Sequence, residues 1–141
     1  MSRYSHGELV QLAEEGRRKQ MWSKYHARKV STLAGTFDSK REYERFVELA
    51  CMEQAGKIQN LRRQVEYELI PAAREPDAVG PKGGRKKGKI IERAVRYRAD
   101  FVYVENGEEI VEDVKGLRTK EYLLKRKLML YRYGIRIRET K

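Results

Sequence analysis

The chain has 141 residues, the length of one compact domain, of which 40% are hydrophobic and 38% charged. A lone cysteine, Cys51, excludes an intramolecular disulfide, and no apolar run approaches the ~20 residues of a membrane span. Lysine and arginine outnumber aspartate and glutamate by 32 to 21, a net charge of +11, which points to a polyanionic partner, most often nucleic acid. The expectation is a soluble, cytoplasmic, DNA-binding protein with no membrane association.

Residues 1–28 read as an N-terminal helical arm. Ser5 and Glu8 have capping-box spacing, Leu9, Leu12 and Ala13 recur at helical spacing, and Trp22, Tyr25 and His26 form an aromatic patch. Residues 29–37 carry too much Ser, Thr and Gly for a helix and suggest a short hairpin. A helix is expected after Asp38-Ser39, running to about Gln54, with Tyr43, Phe46, Val47, Ala50 and Cys51 as its apolar stripe and Gly56 as its stop. Gln64 to Ile70 alternates like a strand that Pro71 closes.

Residues 72–89, rich in Pro and Gly, read as a flexible basic loop carrying Lys82, Arg85, Lys86, Lys87 and Lys89. Such a run is either a solvated loop or a phosphate clamp. Strands fill Ile90 to Lys115 apart from Asn106-Gly107. A helix over 119–133 follows, with Tyr122, Leu123, Leu128 and Tyr131 as candidate buried positions, and Ile135 to Arg138 alternates as a last strand. The order describes an α/β protein, a mixed central sheet flanked by helices.

Asn-Gly between two β-rich runs is the strongest short hairpin signal, because both residues tolerate positive φ. If they form the turn, Glu105 pairs with Glu108, Val102 with Val111 and Asp100 with Asp113. Lys115 shares the face of Asp113, while Phe101, Tyr103, Ile110, Glu112 and Val114 take the opposite, core-side face. Two opposed carboxylates weaken a sheet unless something compensates them. A hard divalent cation, Mg²⁺ or Mn²⁺, does so through oxygen ligands, and Lys115 is suited to orient a water or neutralise a phosphate. The alternative is a solvated strand end in which Lys115 simply pairs with the aspartates.

Asp100 followed by Asp113-Val114-Lys115 resembles the signature of the PD-(D/E)XK nucleases. The wider set Phe37-Asp38-Ser39-Lys40-Arg41-Glu42, Leu61-Arg62-Arg63-Gln64, Tyr97-Arg98-Ala99-Asp100-Phe101 and Glu112-Asp113-Val114-Lys115-Gly116, with Thr119, Tyr122 and Lys125, is similar to a phage and prophage family of unknown function within that superfamily. The likeness covers roughly residues 24–137. It implies a restriction-endonuclease-like core over 29–141, Asp100, Asp113 and Glu42 as metal ligands, Lys115 as a catalytic residue, and Gln64 as an auxiliary. It also implies Lys125 as a DNA contact, with an ordinary solvated lysine as the alternative. Glu42 keeps a second reading, because Ser39-x-x-Glu42 is itself a capping box. Ala99 stands where the superfamily commonly has proline.

The function implied is a Mg²⁺-dependent endodeoxyribonuclease acting as a homodimer without any small-molecule cofactor. By fold analogy its substrate is branched or Holliday-junction DNA in phage recombination or replication, within the host cytoplasm. The alternative is a non-catalytic DNA- or RNA-binding protein on the same scaffold, and a third reading is a regulator acting through the Trp22/Tyr25 arm. His6 and His26 have no partner at zinc-ligand spacing, and no P-loop or nucleophile elbow appears.

Overall fold

The structure, a computed structural model, describes residues 3–18 and 29–141. In chain order the elements are α1 (His6–Arg18), β1 (Val30–Thr32), β2 (Gly35–Phe37), α2 (Lys40–Gln54), β3 (Gln59–Ile70), β4 (Ala73–Arg74), β5 (Ala78–Val79), β6 (Arg85–Lys86), β7 (Ile90–Glu92), β8 (Val95–Glu105), β9 (Glu108–Val114), α3 (Lys120–Tyr133) and β10 (Arg138–Thr140). The main sheet has the order β10-β9-β8-β3. β9 is antiparallel to β8 and parallel to β10, so the α/β, mixed-sheet expectation holds. Among the described residues no helix is long and apolar enough to cross a membrane. The aromatic patch at Trp22, Tyr25 and His26 lies outside the described residues.

The chain divides into two compact units. The first comprises Met1–Val65, Ala99–Arg118 and Ile137–Lys141, the second Glu66–Arg98 and Thr119–Arg136. In the first, α1 opens on a complete capping box: the Ser5 N–H donates to Glu8 Oε2 at 2.7 Å and the Glu8 N–H to Ser5 Oγ at 3.3 Å. Leu9 and Leu12 of that helix join Phe37, Tyr43, Phe46, Leu49, Ile58, Phe101 and Tyr103 in one buried cluster. The 29–37 hairpin forms as β1 against β2.

Ser39 caps α2 through its Oγ, which accepts the Glu42 N–H at 3.1 Å, an interaction worth about 1 kcal/mol. The buried stripe of α2 is Glu42, Tyr43, Phe46, Leu49 and Ala50. Cys51, expected inside, is exposed. It follows Phe46 by five residues, which is about 140° round the helix and beyond the stripe.

In the second unit Leu69, Tyr97, Tyr122 and Met129 are buried. The Tyr67 ring stacks with Tyr97 and meets Tyr133 edge-on, and α3 is tied to β3 by Tyr133 OH donating to the Glu68 carbonyl (2.6 Å) and Arg132 Nη1 to that of Leu69 (3.0 Å). Tyr131, expected to be buried, is 90% exposed. It stands nine residues after the buried Tyr122, half a turn out of phase, whereas Met129 at i+7 lies on the buried line.

Two further expectations are corrected. Residues 135–137 are not a strand. The last strand is Arg138–Thr140, because the pairings Arg138↔Glu112, Glu139↔Asp113 and Thr140↔Val114 set its limits rather than the Ile-Arg alternation. Residues 72–89 are not a structureless loop either. They contain the short antiparallel ladder of β5 with β6 (Ala78↔Lys86, Val79↔Arg85) and the strand β4, which pairs with β7 just beyond them (Ala73↔Glu92).

Candidate active site

Asn106 (φ 50) and Gly107 (φ 78) make the hairpin turn in the left-handed region that this pair tolerates. The ladder from the turn runs Glu105↔Glu108, Val104↔Glu109, Tyr103↔Ile110, Val102↔Val111 and Phe101↔Glu112, the register expected from the sequence. One step further stand Asp100 and Asp113. Asp100 Oδ2 accepts the Val114 N–H at 2.8 Å. Lys115 Nζ lies 3.2 Å from Asp113 Oδ2, and the Lys115 N–H donates to the Thr140 carbonyl at 2.8 Å, which holds the chain straight past the end of β9. The strand end is not solvated. Asp113 is 2% exposed, and Val102 and Val111 are buried on the same face.

The electrostatics of this pair are adverse in the absence of a cation. Burial first, then the hydrogen bond and charge of Asp113, push the Asp100 carboxyl up to about 8, against the opposing pull of the Val114 N–H. Glu42 adds to the push through its charge. Half-buried Asp100 and buried Asp113, which favour a shared proton, are also a pair of hard oxygen donors. That is the donor chemistry a divalent cation matches.

Glu42, on the first turn of α2, is 3% exposed. Only half of the capping box forms. Ser39 Oγ accepts the Glu42 N–H, but the Glu42 carboxylate turns to the N–H of Asp38 (Oε2, 3.0 Å) rather than that of Ser39. Its other oxygen accepts from Gln64 Nε2 at 2.9 Å. Burial raises the Glu42 carboxyl, with the Asp38 N–H, the Arg63 charge and Gln64 drawing it back down. Gln64 itself stands at φ 53 inside β3, an uncommon backbone for a non-glycine residue and one that the Glu42 bond accompanies.

Arg63 is a part of the site that sequence reading missed. Its guanidinium carbon lies 3.5 Å from the Phe37 ring centroid, Nη1 donates to the Ala34 carbonyl (3.1 Å) and Nη2 to that of Thr36 (2.9 Å), and Nη2 is 3.8 Å from Glu42 Oε1. Nothing in an Arg-Arg-Gln run separates a buried arginine from a solvated one. Glu48 and Glu53 are engaged elsewhere. Glu48 pairs with Arg45 at 2.8 Å, and Glu53 accepts the Leu61 and Arg3 N–H groups at 2.9 and 3.3 Å.

Glu112 faces away from the aspartates, as the alternation requires, and is wholly buried. It accepts Arg45 Nε (2.5 Å) and Nη2 (3.1 Å), Tyr103 OH (2.6 Å) and Thr140 Oγ1 (3.1 Å). Burial pushes its carboxyl up, but the bonds from Arg45, Tyr103 and Thr140 outweigh that and leave it below the usual range. Burial and then Glu112 lift the Tyr103 phenol to about 12.

Glu42, Gln64, Asp100, Asp113 and Lys115 all belong to the first unit. Lys82, Arg85, Lys86, Lys87, Lys89 and Lys125 belong to the second, and the five in 82–89 are exposed. Lys125 pairs with Glu121 one turn away at 2.9 Å. Among the described residues no group of three or more His, Cys, Asp or Glu side chains closes round a common metal position. The carboxylates the geometry brings together are thus the Asp100–Asp113 pair, and one or two carboxylates are what Mg²⁺ ordinarily takes from a protein.

Residues 22–140 match the family described as protein of unknown function (DUF1064). The chain belongs to that family. Its match spans the whole of the hairpin, α2 and the Gln64 strand, so every residue of the candidate site falls inside the family region. No curated protein matches the chain, and no solved structure does.

Proposed function

We propose that this family member is a metal-dependent endodeoxyribonuclease of the PD-(D/E)XK kind. The observation that carries the reading is the pairing of half-buried Asp100 with buried Asp113, with the Lys115 ammonium 3.2 Å from Asp113. Two carboxylates facing each other across a sheet weaken the pairing, and a divalent cation reverses the sign of that interaction. A pure binding protein has no use for that arrangement.

Asp100 and Asp113 would hold the cation, and Glu42 is a third acidic group whose charge acts on Asp100. Mg²⁺ or Mn²⁺ bound there supplies acidity to a water and neutralises charge on the scissile phosphate. Lys115 positions the attacking water and donates to the phosphate oxygen on which charge develops. Gln64 and the Asp38 N–H each hold one oxygen of the Glu42 carboxylate and fix its orientation. The net charge of +11 recruits the DNA backbone, and the favoured substrate is branched DNA cut by a homodimer.

The test is cleavage of four-way, flap, linear duplex and single-stranded DNA side by side with Mg²⁺, by wild type and by Asp113→Asn. Wild type should cut the junction best, and Asp113→Asn should lose cleavage while still binding DNA. Equal cutting by the two proteins removes the site. Binding without cutting by wild type on every substrate favours the non-catalytic DNA- or RNA-binding reading.

A further inference from the structure

The two units divide the charge of the chain very unequally. The second unit holds 15 Lys/Arg against 6 Asp/Glu, a net +9, while the first holds 17 against 15, a net +2. Chemistry-bearing residues cluster in the nearly neutral unit, and the positive excess lies in the other.

Within the second unit, the segment from Ala73 to Glu92 has an unusual construction. Every residue of β4, β5, β6 and β7 is exposed, including Val79, Ile90 and Ile91. A two-stranded ribbon without a core is marginal in water, so some other interaction has to hold it. Asp77 is central to that. Its Oδ2 accepts Arg85 Nε at 2.6 Å, and its Oδ1 accepts the Gly88 N–H at 2.9 Å. Arg74 Nη1 donates to the Gly88 carbonyl (3.0 Å), the Glu75 N–H to that of Lys89 (2.9 Å), and the Gly80 N–H to that of Gly84 (2.7 Å). Gly88 is required by space alone, because a Cβ there would collide with the Glu75 backbone carbonyl. The ribbon therefore keeps a defined shape with both faces open.

We propose that this ribbon inserts into the major groove of double-helical DNA, with Asp77 and Gly88 as the positioning residues that hold it in shape. The major groove, about 12 Å wide, admits a two-stranded ribbon, whereas the minor groove of about 6 Å does not. Lys82 at the tip and Lys86, Lys87 and Lys89 along one arm supply phosphate contacts. Val79, Ile90 and Ile91 supply exposed apolar contacts of the kind that thymine methyl groups accept. This inference rests on the DNA partner of the proposed function and not on cleavage, so it is tested without cleavage.

The experiment is fluorescence anisotropy of the full chain on a labelled duplex in EDTA, over a range of salt. Substituting Asp77→Ala removes a negative charge, so simple charge attraction tightens binding. Loss of a preformed ribbon weakens it. We expect at least tenfold weaker duplex binding by Asp77→Ala, and the same by Gly88→Ala, which changes no charge. Replacing Lys82, Lys86, Lys87 and Lys89 by Gln should flatten the salt slope by about 3 to 4, near 0.9 per lost phosphate contact. A duplex with bulky 5-substituted pyrimidines, which fill the major groove, should bind poorly, while a minor-groove ligand should not compete. Undiminished binding by Asp77→Ala and Gly88→Ala overturns the proposal. So does competition by the minor-groove ligand, or binding to anionic vesicles in place of duplex. Any of these leaves Mg²⁺-dependent cleavage to stand or fall separately.

Discussion

Glu112 and Asp113 are consecutive, both buried, and point to opposite faces of one strand, yet they live in contrasting surroundings. Glu112 is ringed by donors from α2, β8 and β10, and its carboxyl stays ionised. Asp113 faces another carboxylate, with the Lys115 ammonium beside it. The first carboxylate has its charge answered by donors on every side; the second is set against a like group, and that opposition is what the proposed cation would answer. Burial alone does not distinguish the two acids. The charges placed round each of them do.

The largest expected effect bears on the structural side. Glu112→Ala removes the acceptor shared by half-buried Arg45, Tyr103 and Thr140, leaving Arg45 only its Glu48 pair, and should cost about 3–5 kcal/mol in urea denaturation. Asp113→Ala, in EDTA above pH 8 where both carboxylates are ionised, should be neutral or stabilising because it relieves the opposition to Asp100. If the two variants lose equal stability, the contrast between the faces disappears.

A second effect concerns pH. Folding raises the Asp100 carboxyl from 3.8 to about 8, so the folded state binds that proton more tightly than the unfolded chain. Its contribution is fully present below pH 4 and is lost as pH rises towards 8. Calorimetry in EDTA should show Tm falling across that window, the fall should flatten in Asp100→Asn, and Mg²⁺ should raise Tm most at its alkaline end. A wild-type Tm insensitive to Mg²⁺ at pH 8 argues against a cation on the pair.

The smallest effect separates the two readings of Glu42. Glu42→Gln keeps an oxygen for the Asp38 N–H, so stability should change by less than about 1 kcal/mol. Cleavage should fall about tenfold or more, equivalent to about 1.4 kcal/mol of barrier. Full activity makes Glu42 a cap and nothing else.

Much of this was legible in the sequence, for identifiable reasons. The Asn-Gly turn fixes a register, and a period of two then assigns every side chain of the hairpin to a face, Glu112 and Asp113 included. Caps at Ser5 and Ser39 mark helix starts because their chemistry is local. What was not legible depends on partners distant in sequence. Arg63 is half-buried because Phe37 and two hairpin carbonyls hold it. β10 begins at Arg138 because β9 is there to pair with, and Cys51 lies outside because its helix stripe is centred elsewhere. The two-residue strands of the ribbon are too short to show any period, and glycine and proline between them imitate an irregular loop.

The placement of the Asn-Gly turn also bears on the order in which the molecule assembles. Closing β8 onto β9 is a local event, whereas β10 must return across twenty or more residues to reach its parallel partner. A hairpin zipping from Asn106-Gly107 gains Val104, Val102 and Phe101 in turn and meets the two aspartates last. The final rung sets two carboxylates against each other, so it closes with less gain than the apolar rungs before it unless they share a proton. In this chain, the last part of the hairpin to form is also the part whose closure depends on pH.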